Sequence, residues 1–277
     1  MAGTLYLVGT PIGNLGDFSP RAAETLEKVD FIAAEDTRVT LKLLSHLGIK
    51  KELVSYHEHN QRQRGPQILE RLQNGESCAL CSDAGMPCIS DPGEELVRLC
   101  AEHGIPVQSV PGPTAAMTAL ALSGLSVGRF TFEGFLSVKK GSREEHLASL
   151  KEEPRTMVFY EAPHKLPSTL KDLLRVLGDR KIALCRELTK VYEEVHRTTL
   201  AQAVAYYEEH PPRGEFVLVV EGAPPKKESQ VSRKEALALV QQLFGEGMSL
   251  SAAAREAARR TGHPKGELYR AALEKEE

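Results

Sequence analysis

Apolar positions in the first 113 residues fall into short runs separated by stretches with helical spacing. Residues 4–8, 30–34, 53–56, 77–82 and 106–110 read as strands. Between them, Ser19-Pro20 opens a helix with proline at the first helical position, where its missing N–H is harmless. Thr37 caps a second helix that Gly48 ends, a third runs over 63–73, and a fourth runs over 94–103 and closes at Gly104. Strands alternating with helices of ten to fifteen residues imply a parallel sheet covered on both faces.

Pro111-Gly-Pro113 interrupts this rhythm, and a helix over 114–123 follows. The second half shows strands near 130–135, 156–161, 182–187, 194–198 and 216–221, with helices near 168–177 and 200–209. Some of these strands have short connections, which predicts a mixed sheet. The segment Ala223-Pro-Pro-Lys-Lys-Glu-Ser-Gln230 is a polar, proline-bearing linker. Beyond it, residues 233–244, 250–260 and 265–274 read as three short helices. The expected division is therefore an α/β lobe over 1–113, a second α/β lobe over 114–222 and a helical module over 233–277.

Composition narrows the picture. Among 277 residues, 41% are hydrophobic and 26% charged, enough for two cores and ordinary for a globular enzyme. No apolar run is long enough to cross a bilayer, and the N-terminus has no basic leader, so the sequence reads as cytoplasmic. Five scattered cysteines argue against a disulfide framework. The net charge of −3 gives no general grip on nucleic acid, so any RNA contact must use local patches.

Candidate chemistry gathers at strand ends. Val8-Gly-Thr-Pro-Ile-Gly-Asn-Leu-Gly16 is glycine-rich after the first strand, yet Pro11 spoils a dinucleotide fingerprint. Ser82-Asp-Ala-Gly-Met-Pro-Cys-Ile-Ser-Asp-Pro-Gly93 holds more Asp, Gly and Pro than a turn needs, and Asp83 is placed to accept from a ligand hydroxyl. Thr114 either caps its helix or meets the ligand, and the two uses are compatible. Glu35-Asp-Thr-Arg38, Tyr56-His-Glu-His59, Tyr160-Glu-Ala-Pro-His164 and Arg186-Glu-Leu-Thr189 each follow a strand and meet at one rim. His57-x-His59 lacks a third ligand at recognisable spacing, so no metal is expected. Cys78-x-x-Cys81 lies in an apolar strand and reads as buried thiols rather than a redox pair.

These blocks together resemble the tetrapyrrole methylase superfamily. Those carrying the resemblance are Gly9-Thr-Pro-Ile-Gly-Asn-Leu-Gly-Asp17, Ala33-Ala-Glu-Asp-Thr-Arg38, Ser55-Tyr-His-Glu-His59, the 82–93 loop, Pro111-Gly-Pro113, Phe132-Glu-Gly-Phe135, Phe159-Tyr-Glu-Ala-Pro-His164, Arg186-Glu-Leu-Thr-Lys190 and Gly214-Glu-Phe-Val-Leu-Val-Val-Glu-Gly222. They run in order to residue 222. Within the superfamily they are most similar to the branch that methylates a cytidine 2′-hydroxyl in small-subunit (16S) ribosomal RNA at the decoding centre. The resemblance implies a two-lobed α/β fold, a homodimer, and S-adenosylmethionine folded into a cleft between the lobes. It places Pro11, Asp83, Gly85, Pro87, Cys88, Ile89, Thr114, Ala115, Tyr160, Leu188, Glu215 and Phe216 beside that cofactor. The 233–277 helices resemble a small module appended in this group.

A ribose hydroxyl is a poor nucleophile, so a nearby base is expected, and Glu161, Asp36 and His164 are the candidates. Arg38 or Lys165 would hold the neighbouring phosphate. The basic segment Lys139, Lys140 and Arg143, and the helix bearing Arg255, Arg259 and Arg260, are candidate RNA contacts. Two rival readings are a methylase acting on a tetrapyrrole and a non-catalytic ribosome-binding factor.

Overall fold

The computed structural model describes residues 2–225 and 232–274. The chain falls into two compact units, 1–223 and 224–277. The first unit holds two five-stranded sheets. Strands β1 (Leu5–Val8), β2 (Phe31–Ala34), β3 (Glu52–Ser55), β4 (Cys78–Cys81) and β5 (Val107–Val110) form the first, in the order β3-β2-β4-β1-β5. Every pairing in it is parallel. Strands β6 (Phe130–Phe135), β7 (Thr156–Glu161), β8 (Lys181–Arg186), β9 (Glu194–Thr199) and β10 (Phe216–Val220) form the second, in the order β6-β7-β10-β8-β9. Here β6 and β7 run parallel and the other pairs are antiparallel, so the expected mixed sheet is present.

The two-residue period of a strand explains how four cores arise from two sheets. In β2, Phe31 and Ala33 face one core while Ile32 faces the other; in β4, Cys78 and Leu80 oppose Ala79 and Cys81. Helices α1 (Pro20–Lys28) and α2 (Thr37–Leu47) cover one face of the first sheet through Leu26 and Leu44. Helices α3 (Gln61–Gln73) and α4 (Glu94–Glu102) cover the other through Ile68, Leu72 and Leu96. The paired cysteines therefore point to opposite faces and cannot bridge. Both are buried, and burial raises both thiols, Cys81 to about 12.

The second sheet is covered unequally. Met157, Phe159, Leu184 and Leu218 meet α6 (Lys140–Ser149), α7 (Leu166–Leu177) and α8 (Leu200–Glu209) on one face. On the other, Val158, Ala183, Cys185 and Val217 meet α5 (Ala115–Leu122), joined by Ile12 from the first lobe. The second unit is a three-helix cluster of α9 (Arg233–Gly245), α10 (Leu250–Thr261) and α11 (Lys265–Leu273) around alanines 236, 253, 254 and 257.

Several local expectations need correction. Asp36, not Thr37, caps α2, because its carboxylate accepts the Arg38 N–H at 2.8 Å. Helix α3 begins two residues before the expected start. Helix α6 was not expected; its first turn carries Lys140 and Arg143, in what read as an irregular basic segment. Of the expected linker, residues 226–230 lie outside the described residues, as do 275–277 of the expected module. Among the described residues, no helix is long and apolar enough to cross a membrane.

Phe159 is fully buried in the larger core of the second sheet. Phe159→Ala is expected to cost about 3–5 kcal/mol, read as a lowered midpoint in urea denaturation.

Candidate active site

Parallel strands deliver their following loops to one edge of a sheet. After β1, the turn at Gly9 meets Gly112 so closely that a Cβ on Gly9 would lie 2.6 Å from the Gly112 nitrogen. Thr10 and Gly85 then exchange backbone hydrogen bonds of 2.9 and 3.1 Å, tying the first loop to the 82–93 loop. After β2 and β4 the ties are carboxylates. Glu35 accepts from the Asp83 N–H and Asp83 accepts from the Asp36 N–H, each at 3.1 Å.

The second sheet brings its own groups to the same place. Tyr160 at the end of β7 contacts Phe132 and Phe135 edge-on, with centroids 5.1 and 5.4 Å apart. Its hydroxyl accepts the Ala116 N–H at 3.2 Å, in the first turn of α5. The expected cap, Thr114, makes no side-chain capping bond there. Past β8, Lys190 reaches Glu187 and Glu215, both at 2.9 Å.

Between these loops lies a cavity of about 750 Å³. Ile12, Met86, Met117, Phe132, Phe135 and Leu188 make its walls largely apolar, with Asp83, Asp91, Tyr160, Glu187 and Lys190 as polar points. That size and this sparse polar lining suit one amphipathic ligand of nucleoside size. Asp83, Gly85, Ile89, Thr114, Ala115, Tyr160, Leu188, Glu215 and Phe216 from the sequence-derived set all line it. Pro11, Pro87 and Cys88 do not. Pro11 instead lines a neighbouring hollow of about 260 Å³ that shares Asp83 with the main cavity. Pro87 is buried and Cys88 half-buried behind the loop they belong to.

Three comparisons bear on this architecture. Residues 4–204 match the model of the tetrapyrrole (corrin/porphyrin) methylases, and 230–276 match that of the RsmI C-terminal HTH domain. The chain belongs to the tetrapyrrole methylase family. It is 50% identical to the ribosomal RNA small subunit methyltransferase I of Synechocystis over 275 residues, covering 99% of each chain. It is 45% identical to the protein of that name from Bacillus subtilis, covering 96% of this chain and 93% of that one. Among solved structures it resembles diphthine synthase, with a TM-score of 0.61, 14% identity and coverage of 79% and 90%. It also resembles uroporphyrin-III C-methyltransferase from Thermus thermophilus complexed with S-adenyl homocysteine, with a TM-score of 0.55, 22% identity and coverage of 78% and 97%. Both likenesses concern the fold.

Backbone strain in this tetrapyrrole methylase is confined to two loops. Among the described residues, the non-glycine positions with left-handed φ are Cys88 (72°), Ser90 (65°), Glu187 (48°) and Thr189 (67°). All four lie on the 82–93 and 186–190 loops that border the cavity. Each such conformation costs on the order of 1–3 kcal/mol and persists only where the surroundings over-determine it.

The candidate bases are placed very differently. Asp36 is held by Arg38 in a bidentate pair that draws its carboxyl down to about 2, so it is a poor proton acceptor near neutrality. His164 is exposed and does not line the cavity. Glu161 does line it, but its oxygens accept from the Ala162 N–H and the Thr169 hydroxyl. Sequence reasoning passed over Asp91. Burial first, and then the Glu35 carboxylate, push Asp91 up to about 7. It was visible within the 82–93 loop, but nothing in the pattern shows which of that loop's residues turns inward.

The basic candidates also divide. Lys139 and Lys140 are exposed at the start of α6, whereas Arg143 is half-buried against Asp172 at 2.9 Å. Arg38 is committed to Asp36, and Lys165 is half-buried at the start of α7. In the second unit Arg259 and Arg260 share Glu256, each at 2.7 Å, and Arg255 is exposed. Among the described residues no group of three or more His, Cys, Asp or Glu is arranged to hold a metal.

Glu187 sits below the usual carboxylate range, chiefly because the Glu215 N–H hydrogen-bonds to it and then because of Lys190. A carboxyl with a lowered folded pKa stabilises above its unfolded value, about 4.3, and that stabilisation is lost as pH falls through the folded value. Glu187→Gln is therefore expected to lower Tm at neutral pH and to narrow the drop in Tm on acidification.

Proposed function

We propose that this protein is a methyltransferase that uses S-adenosylmethionine to methylate small-subunit ribosomal RNA, at the 2′-hydroxyl of a cytidine ribose in 16S rRNA. The observation carrying this reading is the cavity enclosed by loops of both sheets, in a chain that matches relatives named ribosomal RNA small subunit methyltransferase I along nearly its whole length. The same reading keeps two lobes over 1–113 and 114–222, a helical module over 233–277, a homodimer and a cytoplasmic location. It rests on full-length relatives, whereas a tetrapyrrole acceptor is supported by the description of the wider family and by likeness of fold.

When bound, the cofactor supplies a methyl group already activated on a sulfonium. The chain's own task is then alignment and exclusion of water. The Asp83 carboxylate, fixed by the Asp36 N–H, is placed to accept from a ribose hydroxyl or an ammonium group. Tyr160 and its two aromatic neighbours, packed edge to face, line the cavity together with the Gly85, Thr114 and Ala115 segments. Leu188, Glu215 and Phe216 close the second-sheet side. Lys139, Lys140 and Arg255 are exposed and are the basic candidates to meet RNA phosphates, since Arg143, Arg259 and Arg260 are engaged by carboxylates.

Labelled cofactor, offered with undermethylated small subunits or with a precorrin, separates the readings. Label is expected in the RNA and not in the tetrapyrrole, and the reverse result overturns the proposal. Reversing the charge of Lys139 and Lys140 is expected to weaken subunit binding. The salt dependence should also flatten, with each lost phosphate contact removing about 0.7–0.9 from the log–log slope. Equal slopes for variant and parent would remove this segment from the RNA interface.

A further inference from the structure

The large cavity does not stand alone. A second cavity of about 500 Å³ opens beside it, and the two share Glu35, Ser90 and Asp91. The characters of the two differ. The first is walled by aliphatic and aromatic carbon, whereas the second is lined by Glu58, Gln61, Glu94 and Arg98 and is more polar than apolar. A methyl transfer needs two such compartments, one for the donor and one for a polar acceptor, meeting where the methyl group crosses.

We propose that the acceptor ribose occupies this polar cavity and that Asp91, on the wall common to both, takes the proton from its 2′-hydroxyl. The proposal rests on the function inferred above and names the group that carries its chemistry. The surroundings of Asp91 set it apart from the neighbouring carboxylates. Asp36 is neutralised by Arg38, and Glu161 lies among internal donors. Glu35 and Asp83 hold backbone N–H groups and fix the loops. Asp91 follows a non-glycine residue in the left-handed region, Ser90, and precedes Pro92 and Gly93. There a Cβ on Gly93 would lie 2.6 Å from the Cys88 sulfur, so the loop has one tight way to present this carboxylate.

The charges facing it are consistent with a base working near neutrality. Glu35 at the end of β2 and Asp83 after β4 both oppose its ionisation, while the Ser82 hydroxyl favours it. On its own loop and on β7, the Cys88 thiol and the Tyr160 phenol feel its charge in turn. Glu58, Glu94, Glu95 and Arg98 complete the polar cavity, with Arg98 held by Glu95 and Glu102. In the transfer the hydroxyl oxygen bonds the methyl carbon while the carbon–sulfur pair leaves with sulfur as a neutral thioether. The hydroxyl proton passes to Asp91 and then to water in the polar cavity. A base whose pKa lies near the working pH is the efficient choice for this step.

The test has two parts. In protein without cofactor, labelled at its aspartate carboxyl carbons, one NMR signal absent from Asp91→Asn is expected to titrate near neutrality. Glu35→Gln is expected to move that midpoint to lower pH, because a like charge has gone. In single-turnover methylation of small subunits, Asp91→Asn is expected to lose about 10²–10⁴-fold in rate with cofactor affinity retained by calorimetry. Asp91→Glu should recover part of the rate, and Glu35→Gln should shift the acidic limb of the parent's pH profile downward. A midpoint in the ordinary carboxylate range overturns the assignment, as does an Asp91→Asn enzyme that matches the parent across the neutral range. If the parent itself leaves small subunits unmethylated, the functional reading falls and this inference with it. An active parent beside an unimpaired Asp91→Asn variant defeats the inference alone.

Discussion

A parallel strand cannot turn back on its neighbour; it must be reached by a crossover that starts from one edge of the sheet and returns at the other. The rest of the site follows from that constraint. All five strands of the first sheet run the same way, so the segments after β1, β2, β4 and β5 emerge together. None of them needs to be long to meet the others. The reciprocal hydrogen bonds between Thr10 and Gly85, and the carboxylate bonds linking Glu35, Asp36 and Asp83, join segments that are distant in sequence but adjacent in space.

The second sheet contributes by what it leaves uncovered. One face is sealed by three helices, while the other is packed by α5 and a single isoleucine from the first lobe. A sheet face with incomplete cover would ordinarily be an aggregation hazard. Here the exposed part of that face becomes cavity wall, carrying Phe132, Tyr160 and Val217. The Tyr160 hydroxyl then satisfies a helix-terminal N–H that no capping side chain reaches. One residue thus serves packing, capping and ligand shape together.

The strands were largely legible because short apolar runs bounded by turns leave a strong trace; β6 and β7 begin and end where the pattern places them. Helix α6 was not, since Lys140, Gly141, Ser142 and two glutamates mask its single buried leucine, Leu147. For the site, the gathering of strand-end loops could be read and most cavity-lining positions with it. The electrostatic state of each residue could not. Asp36 and Glu161 look like open carboxylates in a string of letters, yet one is spent on Arg38 and the other on Thr169. Asp91 looks like part of a turn. Asp91 keeps its basicity through burial and through Glu35, which comes from the end of another strand, and spacing along the chain carries no such information.

The contact between Gly9 and Gly112 sets a limit on how this chain could drift over generations. Two backbones separated by about a hundred positions touch with no side chain between them. Even a single methyl at either point would wedge the loop after β1 away from the segment after β5. So long as both positions stay bare the two segments keep their close seat, which makes the pair a constraint on inheritance as much as on architecture.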